Sequence, residues 1–66
     1  MRIELNGVPR ELPDPTTVAD LIADSTGSTR GRAAVVNDEV VPRGAWAEYR
    51  LRDGQRVELI TAVQGG

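Results

Sequence analysis

The 66-residue chain has no cysteine, no histidine and no phenylalanine, and its eight basic residues are all arginine. Without cysteine there is no thiolate nucleophile, no disulfide and no cysteine-based metal site. Without histidine the commonest general base and metal ligand is missing. Serines and acids remain, but none are spaced as a triad or a metal cage, so the chain is expected to catalyse nothing alone. No stretch is apolar enough to span a membrane and no charged-then-apolar leader opens the sequence, which makes the cytoplasm the expected compartment. Ten acids stand against the eight arginines, and the net charge of −2 argues against a nucleic-acid binder with a basic face. Trp46 and Tyr49 are the only aromatics, so a core must come from eight Val, five Leu and three Ile. That is enough for one small domain burying about 60% of its unfolded surface, with little margin.

What is present is patterned. In "MRIELNG", Met1, Ile3 and Leu5 alternate with Arg2 and Glu4, a half-buried strand. Asn6-Gly7 signals a tight turn, so "VPREL" returns as the second arm of a hairpin, with Pro9 at a turn or edge and Leu12 as its core residue. Pro13 and Pro15 predict an extended link. Then the period changes: Val18, Leu21 and Ile22 fall at i, i+3 and i+4 on one helical face. Thr17 is the expected N-cap, Asp20 completes a capping-box pattern, and Gly27 stops the helix after two to three turns. "RAAVVNDEVVP" predicts a third strand, a turn at Asn37-Asp38 and a short fourth segment ended by Pro42. Around Trp46 the sequence leaves a helical turn and an irregular loop equally open. Asp53-Gly54 predicts another hairpin turn before the last strand, "QRVELITAV", whose Val57, Leu59 and Thr61 share one face. The order predicts a small α+β fold, a mixed sheet with one main helix packed on one face.

The element order and the terminal Gly-Gly resemble the ubiquitin-like β-grasp fold. More narrowly, "TVADL", "AVVNDEVVPRGAW", "DGQRVEL" and "TAVQGG" are similar to the sulfur carrier proteins of thiamine biosynthesis, the ThiS family. The resemblance spans nearly the whole chain. It implies a single β-grasp domain over residues 1–63 and a flexible tail over residues 64–66, Gln64, Gly65 and Gly66. It also implies a carrier acted on by partners rather than an enzyme. An adenylating enzyme would use ATP and magnesium to activate the Gly66 carboxylate. A persulfide sulfur from a cysteine desulfurase would then convert it to a thiocarboxylate, and thiazole synthase would take the sulfur. No cofactor would be bound by the chain itself. Chemistry explains the need for activation, since an α-carboxylate ionised at neutral pH is a poor electrophile. Sterics explain the glycines: Gly66 has no Cβ to hinder its carbonyl, and Gly65 opens dihedrals closed to other residues. Ordering so short a tail costs about 1–2 kcal/mol per residue, so the rest of the grip must come from the folded body.

Strand parity suggests where that grip lies. If Val57 and Leu59 face the core, Ile60 and Ala62 face away; if Val36 does, Val35 does not. Val35, Ile60 and Ala62 are therefore candidates for the partner-binding surface, and Val63, next to the tail, is counted with them. Trp46 reads as a structural anchor, Pro42-Arg43 as the end of a segment with an exposed charge, and Asp14, Asp20 and Asp24 as a solvated, helix-capping edge. The absence of lysine reads first as compositional bias, and second as a carrier of an activated acyl group avoiding its own amines. Competing functions are the small subunit of molybdopterin synthase, a carrier for cysteine synthesis or tRNA thiolation, a ubiquitin-like modifier, and a β-grasp interaction module.

Overall fold

The computed structural model describes residues 1–26 and 32–61; the side chains of residues 25, 26 and 61 are outside that description. β1 (Arg2–Leu5) alternates exposed with buried residues and turns Ile3 and Leu5 into the core. Asn6 and Gly7 then reverse the chain at φ of 50° and 83°. Positive φ at both central residues is what a type I′ hairpin turn demands. β2 (Val8–Glu11) returns antiparallel to β1 with all four residues exposed. It is an edge strand, where the missing N–H of Pro9 costs no ladder bond. Leu12 lies just past β2 and is half-buried, so the second arm gives the core less than its sequence promised. The link to the helix is not extended throughout. It bends at Asp14 and Pro15, which are joined by a cis peptide.

α1 (Val18–Thr26) buries Val18, Leu21 and Ile22 completely or nearly so. Its start is a reciprocal cap: Asp20 N–H donates to Thr17 Oγ1 and Thr17 N–H donates to Asp20 Oδ2, both at 3.1 Å. Each bond satisfies a donor that the helix itself leaves without a partner. Gly27, the expected stop, lies outside the described residues. β3 (Arg32–Val36) and β4 (Glu39–Val41) form a second hairpin, with φ of 49° at Asn37 and 70° at Asp38.

After Pro42 the chain makes a short 3-10 turn at Arg43–Ala45 and then runs on to Leu51. This segment is stitched to the start of α1. Val18 N–H donates to Tyr49 O, Ala19 N–H to Trp46 O and Leu51 N–H to Thr16 O. Trp46 is the expected anchor, buried, with Nε1–H donating to Val41 O at 2.9 Å. Arg43 is exposed and stands over the indole ring, 5.8 Å from its centroid. Asp53 and Gly54 do form a turn, Gly54 at φ 85°, but no strand precedes it, so it is not a hairpin. It serves β1 instead: Asp53 Oδ1 accepts from Arg2 N–H at 2.7 Å, and Gly54 N–H donates to Arg2 O.

β5 (Arg56–Thr61) enters the middle of the sheet, whose order is β2-β1-β5-β3-β4. It runs parallel to β1 and antiparallel to β3, so the sheet is mixed, with a helical crossover between its two hairpins. The core lies between α1 and one sheet face, sealed at the helix start by Trp46 and Leu51.

Candidate functional site

The face of the sheet away from the core divides into two halves. Toward β2 it is charged. Arg2 and Glu11, register partners on β1 and β2, form an ion pair at 3.3 Å. Glu4 stands opposite Arg56, which reaches Asp38 at 3.9 Å. Such exposed pairs contribute roughly 0–1 kcal/mol each, so they shape the potential of this face more than its stability.

Toward β4 the face turns apolar. Register places Val35 between Val40 of β4 and Glu58 of β5, and sets Ala33 opposite Ile60. Directly opposed side chains on neighbouring strands are close enough to form one surface. Ile60 is 50% exposed and Val40 71%, while Val35, flanked on both sides, is half-buried. Ile60 and Val35 thus point outward as parity required, and Val36 and Val57 are buried beneath α1. Leu59 is different. It was expected to be buried like Val36, yet it is only half-buried. β1 ends at Leu5, opposite Val57, so beyond that point Leu59 has a strand neighbour, Ala34 of β3, on one side alone.

Val40 was missed by the sequence reading. The signal was available: a two-residue turn at Asn37-Asp38 forces Val36↔Glu39 and hence Val35↔Val40. Ala62 and Val63, expected on the same surface, and Gln64, Gly65 and Gly66, expected as the reacting tail, lie outside the described residues. Ile60 is followed directly by Thr61, the last described residue, so the apolar half of the face lies on the side from which the chain continues toward Gly66.

At the opposite pole, between the start of β1 and the Leu51–Gln55 segment, is an open groove of about 900 Å³. Its lining mixes Asp14, Glu48 and Asp53 with Arg50 and Arg52, and it holds none of the candidate site residues. Among the described residues no three acidic side chains gather as metal ligands, and no helix is long and apolar enough to cross a membrane. The described residues thus form an outer sheet face that is charged toward β2 and apolar toward β4.

A five-stranded mixed sheet in the order 2-1-5-3-4, with one crossover helix on one face, defines the ubiquitin-like β-grasp class. Residues 3–66 match the model of the ThiS family, and the chain belongs to that family. It is 29% identical to the sulfur carrier protein ThiS of Escherichia coli (strain K12) over 66 residues, all of both chains. It is also 29% identical over 66 residues to a thiazole synthase of Paramagnetospirillum magneticum, of which the match covers 20%. The crystal structure of a thiamine biosynthesis protein (ThiS) from Geobacter metallireducens superposes with a TM-score of 0.84 at 26% identity, covering both chains completely. The solution structure from that organism gives 0.80 at 25% identity, over the whole of this chain and 88% of the other.

Proposed function

We propose that this chain is a sulfur carrier protein of thiamine biosynthesis whose reacting group is the Gly66 carboxylate. One observation carries the reading: the match to the Escherichia coli sulfur carrier spans both chains from end to end, and the family match runs through Gly66. In this reading a partner enzyme adenylates the carboxylate. A carboxylate oxygen attacks the α-phosphorus of ATP and pyrophosphate leaves. A persulfide sulfur then attacks the acyl carbon and AMP leaves. A thiol cleaves the resulting S–S bond, and the thiocarboxylate remains on Gly66. The chain supplies the substrate and the docking face; the partner supplies ATP, magnesium and the catalytic groups, in the cytoplasm.

The partner-binding surface is the apolar half of the outer face, with Val35 and Ile60 as contacts, Val40 added to them, and Ala62 and Val63 continuing it. Thiazole synthase is the acceptor. Support comes from the Paramagnetospirillum match, where a segment similar to this entire chain forms a fifth of a protein bearing that name.

The test is mass spectrometry of the full chain after incubation with an adenylating enzyme of this pathway, ATP, magnesium and a persulfide source. The expected product gains the mass of one sulfur in place of one oxygen, located on Gly66. Sulfur found elsewhere in the chain, or an unchanged mass, overturns the reading.

A further inference from the structure

β5 occupies the centre of the sheet, and residues 62–66 continue from it. On its β3 side it is paired from Val57 to Thr61. On its β1 side, among the described residues, the strand ladder reaches Arg56 and Val57 and stops, because the chain turns back at Asn6-Gly7. Were β1 one residue longer, the next residue would donate its N–H to Val57 O and accept from Leu59 N–H with its own carbonyl. Asn6 makes the first bond with its backbone, at 2.9 Å. Its φ of 50° carries the backbone off into the turn, and its side chain makes the second bond: Oδ1 accepts from Leu59 N–H at 2.9 Å. The other hairpin repeats the device at the start of the strand. Asn37 donates its N–H to Arg56 O, and its Oδ1 accepts from Arg56 N–H, both at 2.8 Å. Two turn asparagines grip one strand from opposite sides, Asn37 at Arg56 and Asn6 at Val57 and Leu59.

Resting on the reading of the chain as a sulfur carrier, we propose that Asn6 is a positioning residue for the reaction at Gly66. Its side-chain carbonyl holds β5 at Leu59, two residues before Thr61, on the side where β1 has turned away. Without that bond the last residues of β5 depend on β3 alone. Strand ends held from one side open locally at low cost, and every residue that opens must be ordered again when the tail enters a partner's active site. Of the docking face, Val35 and Val40 lie on β3 and β4 and keep their places, and Ile60 keeps its pairing with Ala33 of β3. The loss therefore falls on the reacting step rather than on docking.

Asn37 supplies an internal control, being the same residue with the same bonds at the end of β5 remote from Gly66. Asn6→Gly and Asn37→Gly each keep a residue that adopts positive φ freely while removing the acceptor. Asn6→Asp keeps an acceptor oxygen. The full-length variants are assayed for adenylation by pyrophosphate release with a partner adenylating enzyme, below their melting temperatures, and for amide exchange at Leu59 by NMR. For N6G, kcat should fall on the order of fivefold, the loss of one hydrogen bond, with KM for the carrier within about twofold. N37G should lose a similar amount of thermal stability but keep both constants within about twofold. N6D should recover most of the kcat, and Leu59 exchange should speed up in N6G alone. Equal kcat for N6G and N37G, or no recovery in N6D, overturns the positioning role. A wild type that is itself not adenylated at Gly66 overturns the carrier reading and this one with it, whereas a normal wild type beside an unaltered N6G overturns the positioning role alone.

Discussion

Val57 and Ile60 lie three residues apart on one strand and should fail in opposite ways when changed. Val57 is 0% exposed, set between Leu5 of β1 and Val36 of β3. Val57→Ala removes two methyl-sized groups, about 1.6 kcal/mol of transfer free energy at roughly 0.8 per group. The cavity left behind raises the total to about 2–3 kcal/mol. A chain of this size has only about 3–10 kcal/mol of stability, and each kcal/mol moves Tm by about 4–8 °C. V57A should therefore melt about 8–24 °C lower and still fold in the cold. Ile60→Thr keeps the β-branch on an exposed strand position, so its cost should stay within about 0.5 kcal/mol, under about 4 °C. Circular dichroism melts measure both. Calorimetric titration with the adenylating partner, at a temperature where V57A is folded, measures the other half. I60T should weaken binding by more than about 1 kcal/mol if Ile60 is a central contact, and V57A should bind normally. An I60T that melts like V57A would show the faces of β5 to be inverted. Binding lost in V57A but kept in I60T would place the partner elsewhere. Leu59, half-buried, is the poorer probe, because a charge placed there can reach water.

Two further changes test the helix start and the segment that covers it. Thr17→Ala removes the acceptor of Asp20 N–H and should cost about 1 kcal/mol, read as a Tm lower by about 4–8 °C; an unchanged melt would mean the cap is replaced by water without loss. Trp46→Phe deletes the Nε1 bond to Val41 O in a buried setting and should cost about 1–3 kcal/mol by urea unfolding. A loss below about 0.5 kcal/mol would show that Trp46 is not the anchor of the 43–51 segment.

The elements that could be read from the chain alone are those whose signal is local. Asn6-Gly7 announces its turn because few residue pairs accept positive φ twice. Val18, Leu21 and Ile22 announce a helix because their spacing matches 3.6 residues per turn, and Thr17 with Asp20 marks its start. Pro9 restricts its own strand to an edge. What could not be read was decided by neighbours distant in sequence. Leu12 looked like a core residue by composition, but edge position left it half covered. Asp53-Gly54 has hairpin composition, yet its partner is the backbone of Arg2, more than fifty residues earlier. The dual role of Asn6 was invisible for the same reason: a turn asparagine shows its φ preference in sequence, while the acceptor it offers to Leu59 exists only once β5 has been inserted beside β1.

Inserting the last strand into the middle of the sheet also determines where a docking face can be. β5 is paired with β1 at Arg56 and Val57 and with β3 from Val57 to Thr61, and strand parity assigns one of its faces to the core. Val57 takes the core side, and Glu58 and Ile60 are left facing out. Since β3 runs antiparallel to β5, Ala33 and Val35 join them, and the two-residue turn brings Val40 to Val35. On the β1 side the outward positions are Arg2 and Glu4, paired with Glu11 and facing Arg56. The apolar half therefore borders the end of β5 and the charged half borders its start. A partner that seats on the apolar half lies beside Ile60 and Thr61, from which the chain continues to residues 62–66. A partner seated on the charged half would meet the strand about four residues too early, some 13 Å away at about 3.3 Å per residue. On the proposed reading, in which Gly66 enters a partner's active site, that distance is why the position of the patch along β5 matters as much as its apolar character.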